Sequence, residues 1–392
     1  MAQPVQAQSS PISSDLTSCI AVCEIFRAIP SERIEQALRT IDRSKHRMGK
    51  FPDHLVVYFV IFMGLFMEHS YLQIFELLQN TLSWLSGFGS ELHDLSDTAV
   101  SKARRRIGFE PMRELFELTS APVLEPGAPG TFLGEYRLCL LDGTVIDVAD
   151  TPENQILGKR KNQNGEGAYP QLRLVALMDY ATRVVVDLEI ASMVGNGEVP
   201  LAEALAARLA SKLLIVADRN FPGTDLCRAI VGKGSDFLFR VKSSLKLKPI
   251  KQFADGSYTA FVSEARAEPL LVRVFEYTLE GSSERYKMIT SLMDAERISA
   301  LDLAGLYPHR WAAETIFGDI KSVLKTRKVL LRSKSPATVA QEIYGLFLAY
   351  NVVRAFMHEA AKQGGVPPSH LSFRHSLNIL KFNLPKVGDF SP

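Results

Sequence analysis

Leu213-Leu-Ile-Val-Ala-Asp-Arg-Asn-Phe221 is an apolar run that stops on an aspartate, and Tyr136-Arg-Leu-Cys-Leu-Leu-Asp-Gly-Thr144 closes the same way at Asp142. Short apolar runs with no polar alternation mark strands covered on both faces, as in the parallel part of an α/β sheet. Working outward, Leu172 to Met178 and Val184 to Ile190 form a hairpin around the turn Asp179-Tyr-Ala-Thr182. A helix at 199–210 leads into the 213–217 strand, and a helix at 224–232 leads on to a strand at 236–241. The order is three antiparallel strands, helix, strand, helix, strand.

That order is the outline of a ribonuclease H-like core. An aspartate ending a buried strand sits at one rim of the sheet, where ligands bind in α/β proteins. Asp142 and Asp218 occupy such positions, and Glu314 comes from a later helix. Hard carboxylate oxygens from separate elements suit Mg²⁺ or Mn²⁺ rather than zinc. Two such ions would serve an in-line phosphoryl displacement. Asp147 and Asp150 compete with Asp142, but Asp147 is five residues on and would face the other side of a continuous strand.

The rest of the chain frames this core. Residues 1–13 are polar and read as a disordered arm, with no signal-peptide pattern. From 14 to 120 the periodicity is helical throughout, with helices at 16–28, 31–42, 53–68, 71–86, 98–107 and 110–119. The Pro/Gly-rich stretch 121–134 reads as a linker. Core segments at 135–242 and 294–362 flank an all-β insertion at 243–293, with strands near 257–263, 270–279 and 286–292. Helices follow at 299–304, 307–326 and 336–362, and residues 363–392 form a tail with one helix at 372–381. The longest apolar stretch, Leu55 to Met67, falls short of the about 20 residues a membrane span needs and reads as a core helix.

On the 307–326 helix, Tyr307, Arg310, Glu314 and Lys321 stand at offsets that fall within roughly 60° of one another at about 100° per residue. Ala313, Ile316, Ile320 and Leu324 occupy a neighbouring, core-facing sector, and Trp311 and Phe317 look buried. A polar stripe about 21 Å long at 1.5 Å per residue matches several successive phosphates. A solvated edge of Arg–Glu and Glu–Lys pairs is the plainer alternative.

Tyr307-Pro-His-Arg-Trp-Ala-Ala-Glu-Thr-Ile-Phe-Gly-Asp-Ile-Lys321 resembles the Tyr-x2-Arg-x3-Glu-x6-Lys signature of the insertion sequence 4 family of bacterial DDE transposases. Leu141-Asp-Gly-Thr144 and Asp218-Arg-Asn-Phe221 resemble that family's first and second Asp motifs, and residues 24–115 its N-terminal domain. The resemblance implies an α/β fold with a ribonuclease H-like catalytic core and an all-β insertion, preceded by an all-helical N-terminal DNA-binding domain. It implies Asp142, Asp218 and Glu314 as catalytic metal ligands, and Tyr307, Arg310 and Lys321 as contacts to the terminal phosphates of the element. It also implies an enzyme that binds terminal repeats of double-stranded DNA, cleaves them and joins the 3′-OH to target DNA, as a homodimer on DNA, with Mg²⁺ as cofactor and Mn²⁺ a substitute. Related enzymes hold a flipped base with an aromatic residue, often Trp, in the insertion. This insertion has only Phe253, Tyr258, Phe261, Phe275, Tyr277 and Tyr286. A nuclease that hydrolyses without joining, and a DNA-binding protein whose chemistry has decayed, are the alternatives.

Composition sets the bounds. The net charge of +2 and charged content of 22% announce no nucleic-acid binder, so basic surface must come from clusters. Along 96–107, Val100, Ala103 and Ile107 share a face; Lys102, Arg105 and Arg106 point away from it, and Arg104 lies nearer the packed side. That segment is a candidate recognition helix. Lys159, Arg160 and Lys161, after the first strand, are candidate phosphate grips, and Lys242 to Lys251 form a third cluster. Cys19, Cys23, Cys139 and Cys227 complete no zinc set and read as buried thiols. No Walker loop, nucleophile elbow or His-Glu-x-x-His is present. The expected location is the bacterial cytoplasm, on the nucleoid when acting, with no membrane partner.

Overall fold

The computed structural model describes residues 23–41, 50–83, 95–120, 132–133, 136–162, 165–195, 197–262, 268–279, 281, 284–324 and 330–384. The expected arm, Cys19, most of the expected linker and the end of the tail lie outside them. Residues 23–28 are helical, followed by α1 (Ser31–Leu38), α2 (Asp53–Leu65), α3 (Tyr71–Ser83), α4 (Asp97–Ile107) and α5 (Glu110–Thr119). Cys23 is exposed rather than buried, because the inward positions of its helix go to Glu24 and Ile25.

Every residue of α2 from Leu55 to Leu65 is buried. A helix apolar all round needs cover on all sides, and α10 (Pro336–Gly364) supplies much of it. The two helices meet backbone to backbone at glycines. A Cβ on Gly64 would lie 2.8 Å from the Gly345 carbonyl, and one on Gly345 would lie 2.7 Å from the Val60 carbonyl. Among the described residues, no helix is long and apolar enough to cross a membrane.

The sheet strands are β1 (Phe132–Leu133), β2 (Tyr136–Asp147), β5 (Gln171–Asp179), β6 (Val185–Ser192), β7 (Leu213–Ala217), β8 (Asp236–Val241), β9 (Lys251–Gln252), β10 (Tyr258–Val262), β11 (Leu270–Thr278) and β12 (Arg285–Thr290), while β3 (Lys161–Asn162) and β4 (Gly165–Glu166) pair apart. Their order is β6-β5-β2-β7-β8-β12-β11-β10-β9, with β1 on β2. β5 runs antiparallel to both β6 and β2, whereas β7 and β8 run parallel to β2. Helices α6 (Glu198–Ala206) and α7 (Thr224–Gly232) cover one face.

Two expectations change here. The first strand does not end at Asp142: β2 continues because β5 pairs with it as far as Asp147↔Gln171, well past the end of β7. The β segment expected as an insertion extends the same sheet, since β12 pairs with β8 from Lys287↔Val241 to Thr290↔Leu238. The open edge of β8 carries backbone groups that need partners, and β12 supplies them.

Period-two alternation then assigns faces. Cys139, Leu141, Ile215 and Ala217 pack under α6 and α7, while Leu138, Leu140, Leu214 and Val216 join the core that includes α2, α10, Tyr307, Ile316 and Ile320. One fully buried cation, Arg273, ties the far strands to the chain that follows. It pairs with Asp255 and donates to Ser257 Oγ at 2.8 Å and to the Ile298 carbonyl at 2.7 Å, just ahead of α8 (Ala300–Leu306).

Candidate active site

The parallel ladder between β2 and β7 ends at Leu141↔Ala217, so Asp142 and Asp218 are the next residues on neighbouring strands. Both continue the series facing the 307–324 segment. Gly143 N–H donates to Asp142 Oδ1 at 2.9 Å, and Asn220 holds Asp218 through its N–H (2.8 Å) and side-chain amide (3.1 Å).

That segment is not the uniform α-helix expected. It winds as a 3₁₀ turn over Tyr307–Trp311, as α9 over Ala312–Gly318, and as π-helix over Asp319–Leu324. Its side chains nevertheless reach the rim. Arg310 lies 3.9 Å from Asp142 Oδ2 and 3.3 Å from Glu314 Oε1, and Lys321 donates to Thr144 Oγ1, two residues along the same face of β2 from Asp142. Tyr307 is buried, with its ring edge-on to Tyr286 at 6.3 Å. Trp311, expected to be buried, is 56% exposed and lies beside the Arg310 guanidinium, 4.7 Å from ring centre to guanidinium carbon.

Charge at the rim is unbalanced. Burial pushes the Asp142 carboxyl up to about 6; the Gly143 N–H and Arg310 oppose this, while Asp218 and Glu198 add to it. Burial likewise pushes the Tyr307 phenol up to about 12, so at neutral pH it is a hydrogen-bond donor. Arg310 is itself buried, and its Nε has no hydrogen-bond partner among the described residues. Among the described residues no three acidic, imidazole or thiol groups already converge as a metal cage. Arg310 is a common counter-ion of Asp142 and Glu314.

The other candidates divide. Asp147 accepts from Gln171 at 2.6 Å, and Asp150 lies 3.6 Å from Lys159, whereas Asp142 faces Arg310. Arg106, expected to point outward, is instead tied to Asp53 (2.6 Å) and the Phe51 carbonyl (2.6 Å), because α2 begins against that side of α4. Arg104 is buried against Gln341, Tyr71, Ser333 and the Thr338 carbonyl. Lys102 and Arg105 are exposed; Arg105 lies 3.8 Å from Glu153. Lys159 leans on Asp150 and the Ala168 carbonyl, Arg160 is exposed, and the side chain of Lys161 lies outside the described residues. Thr144 and Asn220 stand inside the two Asp motifs but carried no expected role. Thr144's signal was its two-residue spacing from Asp142.

Residues 133–352 match the transposase DDE domain, and residues 19–117 match the N-terminal region of insertion element 4 transposases. The chain belongs to the insertion sequence 4 family of DDE transposases. It is 27% identical over 359 residues to transposase InsG for insertion sequence element IS4 of Escherichia coli strain K12, an alignment covering 88% of this chain and 79% of InsG. It is 23% identical over 211 residues to the putative transposase InsZ of the same strain, covering 53% of this chain and 66% of InsZ. The piggyBac transposase in its synaptic complex with hairpin DNA superposes with a TM-score of 0.50 at 13% identity, covering 95% of this chain and 80% of that one. That likeness is one of fold. A DDE transposase of an insertion sequence thus carries Asp142 and Asp218 side by side, next to the Tyr307–Lys321 segment, on a mixed α/β sheet.

Proposed function

We propose that this transposase cleaves the ends of its insertion sequence and joins the freed 3′-OH to target DNA, using Asp142, Asp218 and Glu314. The observation that carries the reading is the shared register of Asp142 and Asp218 with Arg310 between Asp142 and Glu314. The sheet order, with three antiparallel strands followed by two parallel ones, supports a ribonuclease H-like core made of residues 135–242 and 294–362. In this reading residues 14–120 are the DNA-binding domain, with Lys102 and Arg105 on phosphates, and a homodimer brings two ends together.

The donors fit a divalent cation. They are carboxylate oxygens, and the burial that raises Asp142, with smaller additions from Asp218 and Glu198, is what a cation would offset. Mg²⁺ or Mn²⁺, two ions in this reading, would supply activation of the attacking oxygen and charge relief on the leaving one. The chain's own residues do the rest. Asn220 fixes the orientation of Asp218. Arg310 offers its unpartnered buried Nε, Tyr307 its retained phenolic proton, and Lys321 its ammonium to successive phosphates at the element's terminus. Rigid positioning matters because small misplacements of the scissile bond cost large factors in rate.

Cleavage at a genuine terminus, compared with nicking of random duplex at fixed salt, tests these roles. Arg310→Ala and Lys321→Ala should lose the first selectively, and Tyr307→Phe should do so more mildly. Equal loss on both substrates would assign the segment to general DNA affinity or structure.

A further inference from the structure

Gly143 opens a gap in the wall of the rim, and Glu198 stands in it. A Cβ built on Gly143 would lie 2.8 Å from both Cδ and Oε1 of Glu198, so the carboxylate rests against the backbone next to Asp142. Glu198 is half-buried in the first turn of α6, on the face opposite Glu314. Among the described residues no cation or hydrogen-bond donor meets it. Glu198 therefore reaches β2 beside Asp142 from the face opposite the 307–324 segment, with only a glycine at the point of contact. Arg310 answers Asp142 and Glu314 but not Glu198.

We propose that Glu198 is a fourth carboxylate of the catalytic rim and shares a divalent cation with Asp142. The inference rests on the metal-dependent reading above. An acid in the first helical turn also interacts favourably with the helix dipole. That simpler role needs no glycine opposite the carboxylate, and it ties Glu198 to no ion. A ligand role requires a close approach to Asp142, which Gly143 permits.

Mn²⁺ binding to the full chain, followed by electron paramagnetic resonance and calorimetry, separates the possibilities. The variants are Glu198→Gln, Asp142→Asn and Gly143→Ala, the last pushing the carboxylate aside without removing it. Glu198→Gln and Gly143→Ala should each weaken one Mn²⁺ ion by about tenfold or more, with thermal unfolding close to wild type. Wild-type Mn²⁺ affinity in Glu198→Gln, alongside a loss in Asp142→Asn, would overturn the inference and leave Glu198 as a helix-terminal acid. A wild-type chain that takes up no Mn²⁺ would overturn the metal reading itself, and this inference with it.

Discussion

At the residue scale, burial opposes the charge on Asp142 and is reinforced by Asp218 and Glu198, so the folded carboxyl titrates near 6 against an ordinary 3.8. The folded state therefore holds a proton between those values that the unfolded chain has lost. Stability from this group is fully present below about pH 4 and is lost as pH rises through 6. Asp142→Asn should thus be more stable than wild type at pH 7.5 in chelator, by about 2–3 kcal/mol, since each tenfold change in proton affinity is worth about 1.4 kcal/mol. The difference should vanish near pH 3.5, and denaturant unfolding at the two pH values checks it. A deficit at pH 7.5, or a gap that ignores pH, would mean that Asp142 is not strained. The adjacency of Asp142 and Asp218 was legible because each follows an apolar run on a buried strand, although β2 runs on past Asp142. The fate of Arg106 was not, since its partner Asp53 is distant in sequence and only the packing of α2 on α4 joins them.

At the scale of elements, the main helices and the longer strands were legible from periodicity, but the two-residue strands β1, β3, β4 and β9 and the winding of the 307–324 segment were not. Local propensity does not encode a π turn; tertiary partners hold it. Arg354 of α10 donates to Asp319 at 2.7 Å, at the residue where α winding gives way to π. Arg354 also lies against Tyr350 and Phe373. Arg354→Met should cost about 1–3 kcal/mol, less than a fully buried pair because Asp319 keeps some water. It should also slow cleavage by releasing Lys321 from Thr144. Unfolding midpoints and cleavage rates measured together check this, and an unchanged rate on a destabilised fold would confine the pair to stability. The pairing of β8 with β12 was equally hidden. The sequence marks strands, but a pairing between segments about 50 residues apart leaves no local trace.

At the scale of the whole molecule, one apolar core runs from Ile25 through α2 and α10 to the sheet and on to Leu384. Arg104 reinforces that union by joining α4 to α10. The surface cations therefore fall into two kinds. Replacing Lys102 and Arg105 with Ala should weaken binding to element ends and reduce its salt slope by about 0.9 for each phosphate no longer neutralised, with little change in unfolding. Arg106→Ala should instead lower stability, by about 1–3 kcal/mol for its charged hydrogen bonds, and leave the salt slope alone. Filter binding across a salt series, paired with unfolding curves, distinguishes the two kinds.

The most direct test of the catalytic assignment is strand transfer by the full chain. An element terminus with a free 3′-OH is supplied with plasmid target and Mg²⁺, and joined product is measured for wild type, Asp142→Asn, Asp218→Asn and Glu314→Gln. Wild type should join the terminus in a metal-dependent way, and no variant that still binds the terminus should join it at all. Joined product from any of the three variants would contradict the assignment of Asp142, Asp218 and Glu314 as the catalytic acids.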